Sequence, residues 1–161
     1  MASALTFAAH GEPEDVLQLQ QDDASGAAPL GPKQVRLQLI AAPINPSDIN
    51  TVQGKYPLKP LLPGVPGHEG VMRVEAAGAE VSTLRPGDRV VPLLPAVGTW
   101  RSSGVFEAEG WHAVPEGLPD DAAATLCINP PTAVCMLEHF VELKAGDVVV
   151  QNGATSAVGQ V

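Results

Sequence analysis

The chain has 161 residues, 45 % of them hydrophobic, and 18 acidic against 9 basic side chains give it a formal net charge of -9. That length supports one core, or one domain and the start of another, and the charge argues against nucleic acid or an anionic membrane as partner. No run approaches the roughly 18 apolar residues of a membrane span, and the first residues, MASALTFAAHGEPEDV, show neither a signal-peptide apolar block nor the Arg-rich pattern of a transit peptide.

Taken in order, Leu5 to Phe7 and Val16 to Gln20 read as short strands around a Gly11-Glu12-Pro13 turn, and residues 22–32 as a loop rich in Gly, Ala and Pro. Val35, Leu37, Leu39 and Ala41 then alternate with Gln34, Arg36, Gln38 and Ile40, the period of a strand with one face buried. From Pro43 to Gly70 runs a stretch of turn formers punctuated by prolines at 43, 46, 57, 60, 63 and 66 and carrying the chain's single tyrosine, Tyr56. A connection this long is uncommon in a compact domain unless it is functional or disordered. Ile44, Ile49, Val52, Leu58, Leu61, Leu62 and Val65 make it too apolar for a linker. It therefore reads as an ordered, proline-stiffened active-site loop, on which Asn45 and Asp48 bond locally to backbone and Tyr56 is pre-organised at low entropic cost.

Met72, Val74 and Ala76 resume the strand period and Gly78 ends it. Val81 to Leu84 leads into the Arg85-Pro86-Gly87-Asp88 turn and a strand from Arg89 to Leu94, followed by two more at Gly104 to Glu107 and Trp111 to Val114. Short strands with almost no helix predict a closed or partly closed antiparallel barrel.

After Pro115-Glu116-Gly117 the spacing turns helical. Asp120 and Asp121 suit a helix N-terminus, and Asn129-Pro130-Pro131 reads as a break and restart with Asn129 as N-cap. Val134, Leu137 and Val141, with Ala133, Met136 and Phe140, form an apolar face that runs to Ala145-Gly146. Asp147 to Gln151 reads as a buried strand of the parallel kind. The turn that follows, Ala154-Thr155-Ser156-Ala157-Val158-Gly159, keeps the third glycine alone of the dinucleotide fingerprint G-x-G-x-x-G. Cys127 and Cys135 read as buried free thiols, and His68 has no cysteine beside it with which to build a Cys/His metal site. His10, His112 and His139 are scattered.

Through INPSDINTVQGKYP (44–57), LPGVPGHEG (62–70), RPGDRV (85–90), GTWR (98–101), AATLCINPPTAVCML (123–137) and GDVVVQNGATSAVGQ (146–160), the chain resembles the zinc-free branch of the medium-chain dehydrogenase/reductases, and within it the mitochondrial 2-enoyl-thioester reductases. The resemblance implies a β-rich GroES-like barrel over 1–118, followed over 119–161 by a helical segment and the truncated start of a Rossmann α/β domain. It implies NADPH as cofactor, a 2-enoyl thioester of CoA or acyl carrier protein as substrate, no metal, and a homodimer at full length. Tyr56 is implied as proton donor, Asn129, Thr155, Ser156, Ala157 and Val158 as cofactor contacts, and Trp100 as lining either the cleft or the core. Mitochondrial residence follows from the resemblance and cytoplasmic residence stays open. Quinone reduction is the rival activity and a non-catalytic barrel the rival class. A further expectation is that this stretch alone neither binds NADPH usefully nor turns over substrate.

Overall fold

The computed structural model describes residues 2–22 and 29–161, so most of the loop expected over 22–32 lies outside the described residues. The first two strands, β1 (Ala2–Thr6) and β2 (Gln18–Asp22), form an antiparallel pair. Their connection contains a single helical turn, α1 (Pro13–Val16), in place of the expected turn and early strand. Pro13 occupies its first helical position, where proline's missing N–H costs nothing.

Five strands make the main sheet: β3 (Gln34–Ala41), β4 (Val71–Ala77), β5 (Arg89–Pro92), β6 (Ser103–Glu107) and β7 (Trp111–Ala113), in the order β6-β3-β4-β5-β7 and antiparallel throughout. The edge strands β6 and β7 are consecutive in the chain and joined by a 3₁₀ turn of three residues, Ala108–Gly110. A flat five-stranded sheet would hold its edges roughly 19 Å apart at about 4.8 Å per strand. The four residue steps from Glu107 to Trp111 reach roughly 14 Å, so the sheet must curl, and Phe106 and Trp111 pack edge to face across the join at 4.9 Å. This is the partly closed barrel that the strand pattern predicts.

The alternating residues of β3 and β4 fill the barrel: Val35, Leu37, Met72 and Val74 are buried with Leu84, Val90, Ala108 and Trp111. A second cluster on the other face joins Val71 and Val91 to Ala123 and Ala124 of α3 (Asp120–Ala124). Arg89 fastens this approach segment, donating to Leu118 O at 2.6 Å and Pro115 O at 3.1 Å and pairing with Asp120 at 2.6 Å.

Three expectations are corrected. Residues 43–70 are not all loop: α2 (Pro46–Val52) forms a seven-residue helix, because Asn45-Pro46-Ser47-Asp48 supplies an extended N-cap, a proline at the first position and an acid at the third. Helix α4 (Asn129–Glu138) stops well before Ala145, and residues 147–151 pair with no strand among the described residues. Every residue from 134 to 157 is exposed, Val148 at 88 % and Val150 at 90 %. An amphipathic face with nothing packed on it leaves helix length to intrinsic propensity, which is marginal at this size, and a lone strand has no ladder to define it.

Candidate active site

Helix α2 determines where Tyr56 sits. At its start the N–H of Asn45 donates to Asp48 Oδ2 at 2.7 Å, the acid-to-cap half of a capping box. Asp48 Oδ1 accepts the backbone N–H of His68 at 2.8 Å, so the local hydrogen-bonding role expected of Asp48 extends to a distant segment. At its end Gly54 adopts φ +73, its N–H donates to Thr51 O at 3.0 Å and that of Lys55 to Asn50 O at 2.8 Å, the paired bonds of a Schellman cap. The same Asn50 carbonyl takes the N–H of Tyr56 at 3.0 Å. The tyrosine is thus attached directly to a capped helix end.

Its ring meets His68 edge to face at 5.1 Å. His68 is buried and its Nε2 lies 2.8 Å from Thr51 Oγ1. Since the Thr51 hydroxyl donates its one proton to Ser47 O at 2.9 Å, Nε2 is the donor toward Thr51. The histidine is therefore a hydrogen-bonded wall for the tyrosine, and among the described residues no three His, Cys, Asp or Glu side chains converge as metal ligands.

Tyr56 and His68 open onto a cleft of 490 Å³ walled mainly by apolar side chains, Leu93 and Leu94 after β5 and Ile128, Pro131, Met136 and Phe140 on the other side. Among the described residues the Tyr56 hydroxyl has no hydrogen-bond partner, so the chemistry the cleft offers is a phenol O–H in apolar surroundings. Cys127 lines the cleft as well. Burial, with the neighbouring Glu69 charge as a lesser cause, pushes its thiol up to about 11, and the thiol donates to Pro92 O at 3.3 Å. Cys135 is exposed, against the expectation that both thiols are buried. Trp100 is not a cleft residue: its Nε1–H donates to Pro43 O at 3.2 Å, and it lines a separate apolar groove with Leu5, Leu39 and Ile44.

Asn129 does not act as the expected N-cap. It is the first residue of α4, 9 % exposed, and makes no side-chain capping bond. The proline after it holds the helix start, which leaves the side-chain amide disengaged among the described residues. Thr155, Ser156, Ala157 and Val158 lie in a compact turn, away from the cleft lining. Within that turn the Ser156 N–H bonds Gly153 O at 2.9 Å, while the N–H groups of Thr155, Ala157 and Val158 have no partner among the described residues. Gly159 closes it so tightly that a Cβ there would clash with Gly153 O. Tyr56 and His68 thus share one cleft, and none of Thr155, Ser156, Ala157 and Val158 is among its lining side chains.

One participant is given no role by the sequence, although the LPGVPGHEG block contains it. Glu69 is 1 % exposed and is not among the cleft-lining side chains. Its Oε1 accepts from Asn45 Nδ2 at 2.8 Å, and its Oε2 from the N–H groups of Cys127 at 2.9 Å and Ile128 at 3.1 Å. Burial raises its carboxyl above the ordinary range against these three hydrogen bonds, and burial likewise raises Asp48. Its neighbours in sequence place it in a recognised block, but no local period indicates that it is buried or what it bonds.

The alcohol dehydrogenase GroES-like domain matches residues 31–136. The mitochondrial enoyl-[acyl-carrier-protein] reductase of Arabidopsis thaliana is 46 % identical over 164 residues, covering 99 % of this chain and 42 % of that protein. A solved complex of Etr1p with NADP and crotonyl-CoA superposes with a TM-score of 0.89 at 37 % identity, over 99 % of this chain and 49 % of the other. The quinone oxidoreductase of Pseudomonas syringae superposes at 0.81 with 28 % identity, over 99 % and 47 %. The chain thus spans about half the length of the proteins it matches.

Proposed function

The chain belongs to the alcohol dehydrogenase GroES-like family of the medium-chain dehydrogenase/reductases, and on that premise we propose that it forms the catalytic barrel and the beginning of the nucleotide domain, divided near residue 118, of an NADPH-dependent 2-enoyl thioester reductase. The observation that carries this reading is the Tyr56 hydroxyl, unengaged in an apolar cleft and fixed from behind by a capped helix and His68.

Saturating a 2-enoyl thioester takes hydride at Cβ and a proton at Cα, with negative charge passing through the thioester oxygen. NADPH supplies the hydride when bound. The chain fits it: the disengaged amide of Asn129 and the unpartnered N–H groups of Thr155, Ala157 and Val158 are the donors a nicotinamide nucleotide and its pyrophosphate would take, with Ser156 shaping the turn. Tyr56 supplies the proton. Its position at a capped helix end keeps the phenol O–H directed without loop reorganisation. The apolar walls suit an acyl chain, whose binding would displace water from around the donor. The carrier, CoA or acyl carrier protein, the pairing of two such chains and mitochondrial residence are part of the same proposal, supported by the names of the relatives.

The test joins residues 1–161 to the remaining portion of the Arabidopsis relative. This chimera is expected to oxidise NADPH with crotonyl-CoA faster than with a small quinone, and Tyr56→Phe to lower kcat by about 10² to 10⁴, the usual worth of a positioned acid. A loss below threefold would remove Tyr56 from the proton-donor role, and turnover of quinone alone would favour quinone reduction.

A further inference from the structure

Glu69 is a buried acid that meets no Lys or Arg among the described residues. Among the described residues Arg89 pairs with Asp120, while His68 Nε2 stands 3.8 Å from Asp48 Oδ1 and bonds Thr51. Burying a carboxylate is costly unless its oxygens are filled, and here both are, from segments far apart in sequence: Asn45 on one side, Cys127 and Ile128 on the other. Its own backbone is pinned as well, because the buried Thr99 donates its hydroxyl to Glu69 O at 2.7 Å.

The two arms lead to different parts of the site. Asn45 is the N-cap of α2, the helix whose far end carries Tyr56. Ile128 is the N-cap of α4, and Asn129 is the first residue after it. We propose that Glu69 is the positioning residue of this site, one carboxylate oxygen holding the tyrosine-bearing helix and the other holding the start of α4, so that proton donor and cofactor-contacting asparagine keep one separation. The proposal rests on the roles given above to Tyr56 and Asn129. No other side chain among the described residues bonds both segments.

The carboxylate form matters because all three partners are N–H donors. A glutamine in the same volume offers one acceptor oxygen and an NH₂, so it cannot accept from Asn45 Nδ2 and from the Cys127 and Ile128 N–H groups together. In residues 1–161, Glu69→Gln is expected to raise the hydrogen-exchange rates of the Cys127 and Ile128 amides by roughly tenfold or more while the β3 and β4 ladder amides keep their protection. In the chimera, Glu69→Gln is expected to raise KM for NADPH roughly tenfold with KM for crotonyl-CoA little changed. Asn45→Ala cuts the other arm alone and is expected to lower kcat while leaving KM for NADPH in place. A merely structural role would instead lower the active fraction of both variants without that split. Wild-type exchange at residues 127 and 128 both in folded Glu69→Gln and in folded Glu69→Leu, which keeps no acceptor, overturns the tether, and identical kinetic changes in Glu69→Gln and Asn45→Ala overturn its positioning role. A wild-type chimera that reduces no enoyl thioester would sink the functional reading instead, and the exchange rates would still decide whether the tether exists.

Discussion

Cys127 and Cys135 line the same cleft and differ in kind. Burial and a hydrogen bond to Pro92 hold the Cys127 thiol protonated far above neutral pH, whereas Cys135 stands in solvent. The nucleophile in alkylation is the accessible thiolate. Iodoacetamide at pH 7.5 is therefore expected to label Cys135 first, with Cys127 following only when the chain unfolds, as peptide mass spectrometry would resolve; equal labelling in the folded chain would contradict the burial described here. At this scale the sequence is legible where a residue is singular and unevenly so elsewhere. Tyr56 stands out as the lone tyrosine in a proline-rich stretch, and it does reach the cleft. Glu69 is illegible because what defines it, the N–H groups of Cys127 and Ile128, lies 58 and 59 positions away.

Among the elements, α2 is the one on which the site depends most. Its start was written locally, in Asn45-Pro46-Ser47-Asp48, although prolines on both sides make the whole stretch read as loop. Its end rests on Gly54, whose positive φ would strain any side chain and whose added Cβ would stand 2.8 Å from His10 Cγ. Gly54→Ala is expected to cost about 2 kcal/mol in urea-denaturation stability, the usual size of a left-handed penalty with a close contact added. A change within experimental scatter would show that the cap does not hold the turn to Tyr56. The opposite case is residues 129–151, whose apolar spacing predicts a longer helix and a strand. Both patterns describe what the segment would bury, and nothing among the described residues buries 134–151, so period alone overstates the structure formed.

For the molecule as a whole, the barrel has an interior of its own while the segment from 134 to 157 is exposed throughout. The turn at 154–159 therefore lacks packed neighbours to brace it, and residues 1–161 are expected to show no saturable NADPH binding at micromolar concentrations by calorimetry. Limited proteolysis should leave a resistant barrel and cut beyond α4. Saturable binding would mean that a second copy braces the turn. The fold class was legible because short alternating strands leave a barrel few alternatives, whereas the strand order was not, since pairing of β3 with β6 joins segments that share no local signal. The short join between β6 and β7 has a kinetic consequence. The two sheet edges that must meet in space are neighbours in sequence, so bringing them together forfeits little chain entropy. Folding speed then falls to the long-range registry of β3 with β6, and lengthening the Ala108–Gly110 turn with flexible residues should loosen the barrel while leaving the slow step at β3 and β6 unchanged.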